Sequence, residues 1–91
     1  DQYLQVTYAD SYQAYSNYNY EEAKTGFEKV VEMDEAYQDG NAIYYLAQTY
    51  RNLGENEKAI EYYQKVIDGY PNTERAANSS RYLEELQNAE Q

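Results

Sequence analysis

The chain contains no cysteine and no histidine. That excludes a disulfide, a Cys/His zinc site and every catalytic arrangement that needs either side chain. Its four glycines, Gly26, Gly40, Gly54 and Gly69, are isolated, so there is no glycine-rich loop to cradle a phosphate. Bases are scarce: seven Lys and Arg stand against 17 Asp and Glu, a formal net charge of −10. Nucleic acid would be repelled, and so would an anionic membrane surface. A cationic partner, or plain solubility, is compatible with that charge. No run approaches the roughly 18 apolar residues of a membrane span, which argues against direct membrane insertion by this stretch, and no signal peptide is visible. The chain opens at Asp1 rather than Met and reads as a fragment of a larger protein.

What the chain does have is tyrosine: 14 of them, beside one Phe and no Trp. Tyr fills a core while keeping a polar tip that needs water or a hydrogen-bond partner. Ninety-one residues form one small domain, 1–91, with room for five short helices and little for a deep catalytic cleft.

Two stretches repeat 36 residues apart. Glu21 to Val31 aligns with Glu57 to Ile67, with Glu, Ala, Lys and Val recurring identically and Phe27/Tyr63, Glu28/Gln64 and Val31/Ile67 recurring in kind. Such a period marks a solenoid, in which each unit buries its apolar face by stacking on the next. The apolar rhythm is helical. Ile43, Leu46, Ala47, Tyr50 and Leu53 fall at i, i+3, i+4, i+7 and i+10. Breakers set the boundaries. Asn19 is an expected N-cap with Glu22 completing a capping box, Gly54 an expected left-handed turn, Asn56 a further N-cap, and Pro71 a stop, with Asn72 or Thr73 capping the fifth helix. The reading is helices near 3–17, 20–34, 38–53, 56–69 and 73–89, with fraying around residues 87–91. Ala23 and Ala59 are expected where paired helices approach most closely, and Gly26 is expected to permit close packing.

The second unit, Asn41 to Thr73, resembles a tetratricopeptide repeat, a helix-turn-helix of about 34 residues. Leu46-Ala47 stands for its Leu-Gly pair, Tyr50 for the following aromatic and Gly54 for the turn glycine. Ala59, Tyr63, Val66 and Pro71 match the later signature positions. The first unit matches from Tyr20 to Val31 and departs elsewhere: Asp10-Ser11 replaces Leu-Gly, Ala14 the aromatic, Glu35 the proline. The resemblance implies an all-α, right-handed solenoid: unit one about 3–36, unit two about 38–71 and a capping helix about 73–89. The junction Tyr70-Pro71-Asn72-Thr73 is similar to that of bacterial cell-envelope repeats of the Tol-Pal coordination factor type. That leans toward an extracytoplasmic or membrane-tethered location, while the compartment itself stays unknown.

In that family the first helix of each unit lines a concave groove. Carried over, these positions give Gln5, Tyr8, Ala9, Tyr12, Tyr15 and Ser16; then Asn41, Tyr44, Tyr45, Gln48, Arg51 and Asn52; then Glu74, Ala77, Asn78, Arg81, Glu84 and Glu85. Tyr8, Tyr12, Tyr15, Tyr44, Tyr45, Gln48, Arg51, Asn78 and Arg81 form the candidate partner-binding groove. Tyr offers contact area at low entropic cost and Arg adds charge-assisted hydrogen bonds. The same tyrosines also suit ordinary inter-helix packing, and both readings stand at this point. The chaperone-tail clamp of one family subtype is absent, because Tyr8, Tyr12 and Tyr45 occupy its positions. Glu21/Glu22, Asp34/Glu35 and Glu84/Glu85 are neighbours pointing about 100° apart on a helix, so they do not converge as an acid/base pair. Asp34, Asp39 and Asn41 lack the spacing of a calcium loop. The expectation is a non-enzymatic module without cofactor or metal that binds a protein or peptide partner, not nucleic acid. The alternative is a structural spacer or self-association unit whose exposed end helices stack on another copy.

Overall fold

A computed structural model describes residues 1–89. They form five α-helices with no strand among them: α1 (Gln2–Ser16), α2 (Tyr20–Met33), α3 (Asn41–Asn52), α4 (Asn56–Gly69) and α5 (Glu74–Ala89), with a short 3-10 turn at Tyr37–Gly40 before α3. The architecture is an all-α helical repeat. Each helix packs chiefly on its sequence neighbours, and α1 to α3 and α3 to α5 touch lightly along one side. The repeated apolar triplets carry this arrangement. Ala23, Phe27 and Val30 are buried on α2, and Ala59, Tyr63 and Val66 are buried at the equivalent places on α4. α3 is the central helix, with eight buried residues from Ala42 to Tyr50. Residues 87–89, expected to fray, continue α5, while 90–91 lie outside the described residues.

Ala23 and Ala59 are fully buried, as close helix approach requires. Gly26 sits where α2 meets α1. A Cβ there would overlap the Oγ of Ser11 and lie 3.0 Å from its Cβ. Ser11 is itself buried and satisfies its hydroxyl by donating to the Thr7 carbonyl at 2.6 Å. The two units are also tied by polar contacts: Lys24 Nζ reaches Glu55 Oε2 at 3.0 Å, and the Tyr50 hydroxyl donates to Glu28 Oε2 at 2.6 Å.

Several ends differ from the sequence expectation. Asn19 is the N-cap of α2, but its side chain makes no capping bond, so no capping box forms with Glu22. Glu55, not Asn56, caps α4, again without a side-chain bond. α3 begins at Asn41 rather than near 38, because Gln38, Asp39 and Gly40 all take positive φ (51°, 54° and 91°), which no right-handed helix accommodates. A Cβ on Gly40 would also meet the Tyr70 ring at 2.6 Å. Thr73 does cap α5, accepting from the Ala76 N–H at 3.1 Å.

Gly54 takes φ 78° in the α3–α4 turn, and Tyr18, its equivalent between α1 and α2, takes φ 66°. Glycine adopts this region freely, whereas a side chain there is strained by about 1–2 kcal/mol. The two substitutions therefore have opposite signs. Gly54→Ala is expected to cost about 1 kcal/mol, and Tyr18→Gly to be neutral or stabilising by up to about 1 kcal/mol. Equal losses for both in thermal denaturation would contradict this reading of the turns.

The ion pairs among the described residues are few: Lys24 with Glu21 and Glu55, and Lys65 with Glu35. Against a net charge of −10, self-repulsion outweighs them. Added sodium chloride at pH 7 is expected to raise the melting temperature modestly by screening that repulsion. A fall would mean that attractive pairs dominate.

Candidate functional site

α1, α3 and α5 line the side on which alternate helices meet. α1 projects Tyr8, Tyr12 and Tyr15 at i, i+4 and i+7, one face of a helix. α3 answers with Tyr44, Tyr45, Gln48 and Arg51. The structure brings Tyr12, Tyr15 and Tyr45 into one cluster. Tyr12 meets Tyr45 edge-on with ring centroids 5.1 Å apart, Tyr15 meets Tyr45 at 5.4 Å, and Tyr12 stacks on Tyr15 at 6.4 Å. Such offset and edge contacts suit aromatic quadrupoles. The cluster rests on the core through Phe27, whose ring stacks on Tyr45 at 6.2 Å. Tyr12 is the open member, 42% exposed.

The other predicted residues divide. Tyr8 is half-buried, turned toward Phe27 at 5.8 Å and Tyr37 at 5.3 Å. Tyr44 and Gln48 are not open groove residues, with only 8% and 7% of their surface exposed. Tyr44 is covered by Tyr45 at 5.4 Å and Tyr63 at 6.4 Å. Gln48 is covered because its Oε1 accepts from the Tyr63 hydroxyl. A third member joins them: Arg51 donates its Nε–H to that hydroxyl at 3.0 Å. Asn78 faces the Tyr44 hydroxyl, and Arg81 is exposed on α5.

Sequence reasoning missed Tyr82. Its ring stacks on Tyr63 at 5.6 Å and lies beneath both guanidiniums, with Arg51 Cζ 4.2 Å and Arg81 Cζ 5.2 Å from its centroid. The i, i+4 spacing of Asn78 and Tyr82 was the available signal, since it places both on one face of α5. The strip thus runs from the Tyr12–Tyr15–Tyr45 cluster to a two-arginine, one-tyrosine end.

Burial raises the hydroxyl pKa of Tyr15, Tyr44 and Tyr45, raises Tyr8 to about 12, and raises Tyr63 further, against the local pull of Arg51. Tyr50 is raised by burial and then by its bond to the Glu28 carboxylate. A raised folded value means stability that is complete below the unfolded value of about 10 and is lost as pH climbs through the folded values. The helical signal is expected to hold to about pH 10 and then collapse together with a rise in tyrosinate absorbance. Full tyrosine titration near pH 10 with the helices intact would contradict the packing described here.

No described helix is long and apolar enough to cross a membrane. Residues 41–73 match the sequence model of the tetratricopeptide repeat family. They comprise α3, the Gly54 turn, α4 and the junction to α5. Repeats of this family generally mediate protein–protein contacts and are typically non-catalytic. The chain has no significant match among curated proteins or among solved structures.

Proposed function

We propose that the chain is a non-enzymatic module that binds a peptide or partner domain along the strip formed by α1, α3 and α5. The observation that carries this reading is the convergence of Tyr12, Tyr15 and Tyr45 from two separate helices into one partly open aromatic surface continuous with Arg51 and Arg81. Rigid aromatic area beside guanidinium groups is the composition of binding hot spots. Tyr44 and Gln48 support the floor rather than touch the partner. Photo-crosslinking in the full-length protein tests the proposal. A photoreactive residue in place of Tyr12 should yield partner adducts, and one in place of exposed Gln64 on α4 should not. Adducts from Gln64 alone would sink it.

A second reading has its own support. Tyr3, Val6, Ser11 and Gly26 line an open groove of about 560 Å³ on the outer side of α1 and α2, in which Tyr3 and Val6 are half exposed. Val6, Thr7, Asp10 and Ser11 line this groove, and their equivalents in unit two, Ala42, Ile43, Leu46 and Ala47, are buried. Stacking on another helical unit would cover that groove, and a structural spacer or self-association unit fits it. Concentration-dependent dimers in sedimentation, abolished by Val6→Asp, favour this reading; a monomer at all concentrations rejects self-association.

A further inference from the structure

The arginines are placed against the charge of the chain. Net charge is −10, yet all three arginines, Arg51, Arg75 and Arg81, gather on or beside the aromatic strip, and none has a carboxylate partner among the described residues. Arg51 and Arg81 share the Tyr82 ring at 4.2 Å and 5.2 Å. Arg75 donates through Nη2 to the Asp39 carbonyl at 2.7 Å, while its Nε is buried without a partner. Two like charges held over one ring are unfavourable unless something anionic completes them.

The acids lie elsewhere. α3 contains none, and the single acid of α1, Asp10, lines the outer groove. Glu28, Glu35, Glu55 and Glu61 surround Tyr50 and Tyr62 on the α2–α4 side. After burial and the neighbouring tyrosines, arginines also act on the hydroxyls of the strip: Arg75 on Tyr8 and Tyr45, Arg51 on Tyr15 and Tyr44, and Arg81 on Tyr44. Of the acids near them, Glu74, Glu84 and Glu85 of α5 are exposed to solvent, as is Asp39, whose carbonyl Arg75 bonds. The molecule therefore has an acidic back and gathers its three guanidiniums at an aromatic front.

We infer that the strip takes an acidic peptide, with an Asp or Glu side-chain carboxylate held by Arg51 and Arg81 over Tyr82 and neighbouring apolar residues lying on Tyr12, Tyr15 and Tyr45. This rests on the strip being the binding surface. It reverses the expectation from net charge alone, under which a cationic partner was the compatible one. Guanidinium forks suit carboxylates in two parallel hydrogen bonds, and stacking on an aromatic ring leaves their edges free to donate. Nucleic acid, which would share the anionic chemistry, is opposed by the field of the acidic back.

The test is selection of a random 12-residue peptide library displayed with its carboxyl end fused to a carrier, so that only side chains can supply the carboxylate. Recovered peptides should be enriched in Asp and Glu. The corresponding synthetic peptide should bind Arg81→Gln about tenfold or more weakly than the parent, as loss of a charge-assisted contact predicts. Replacing its acids by Asn or Gln should weaken binding to the parent by a similar factor. Arg81 makes no hydrogen bond within the described residues and is exposed, so its substitution leaves the fold intact. Peptides that lose binding on Tyr12→Ala but show no acidic enrichment, or that bind Arg81→Gln as well as the parent, would overturn this inference and leave the strip as the binding surface. Peptides indifferent to Tyr12→Ala and Arg81→Gln alike, or no recovered peptide at all, would overturn both.

Discussion

Tyr63→Ala is expected to remove about 3–5 kcal/mol of stability, the range for deleting a large aromatic from a packed core. A domain of this size is stabilised by only about 5–15 kcal/mol, so the variant should be largely unfolded or melt tens of degrees lower. Three features combine at this residue. Its surface is fully buried; its ring meets Tyr44 at 6.4 Å and Tyr82 at 5.6 Å; and its hydroxyl bonds Gln48 and Arg51. It therefore joins α3, α4 and α5 at one point. Tyr63→Phe separates the ring from the hydroxyl. It leaves the buried Gln48 oxygen without a donor and should cost about 1–3 kcal/mol, toward the low end because Arg51 can turn to water. Denaturant titration followed by circular dichroism checks both. Equal stability of the Tyr63→Phe variant and the parent would show that the Gln48–Tyr63–Arg51 network contributes nothing.

The second large effect is on binding. Replacing Tyr12 and Tyr45 together by Ala is expected to weaken capture of the partner by about 2 kcal/mol or more, the threshold for hot-spot residues. These two rings meet at 5.1 Å, Tyr12 as the open member of the cluster and Tyr45 as the half-buried ring that ties it to Phe27. Tyr44 with Arg51 would be the poorer pair. Tyr44 is buried and Arg51 bonds Tyr63, so their loss would report on folding as much as on binding. Lys65→Ala, on the far side where Lys65 pairs with Glu35 at 3.5 Å, should leave capture unchanged. Loss of helical signal in the double variant would assign the effect to unfolding, and undiminished capture by a folded double variant would remove the aromatic cluster from the interface.

The fold was legible because its signal is periodic. Phe27 and Tyr63, or Ala23 and Ala59, are each other's counterparts, and the same burial at both places follows from one repeated pattern. The site was legible only as a choice of helices. The spacing of Tyr8, Tyr12 and Tyr15 fixes a shared face of α1, but nothing local distinguishes open Tyr12 from half-buried Tyr8. That difference depends on Tyr37, which is brought in by the irregular connection before α3. Gln48 looked like a solvent-facing contact. It is buried because a residue on another helix, Tyr63, supplies its donor. Tyr82 was passed over because Leu83 and Leu86 carry the apolar rhythm of α5, while its role comes from Arg51, 31 positions away in the sequence. The left-handed Tyr18 was hidden because glycine, the residue that marks such a turn, is missing there.

The most direct measurement of the central claim is a backbone-amide chemical-shift map of the chain titrated with a peptide recovered by selection. Tyr12, Tyr15, Tyr45, Arg51, Arg81 and Tyr82 are expected to shift together with a common saturation curve while α2 and the outer face of α4 stay still. Shifts confined to Tyr3, Val6 and Lys29 in the outer groove, or to α2 and α4, would contradict it.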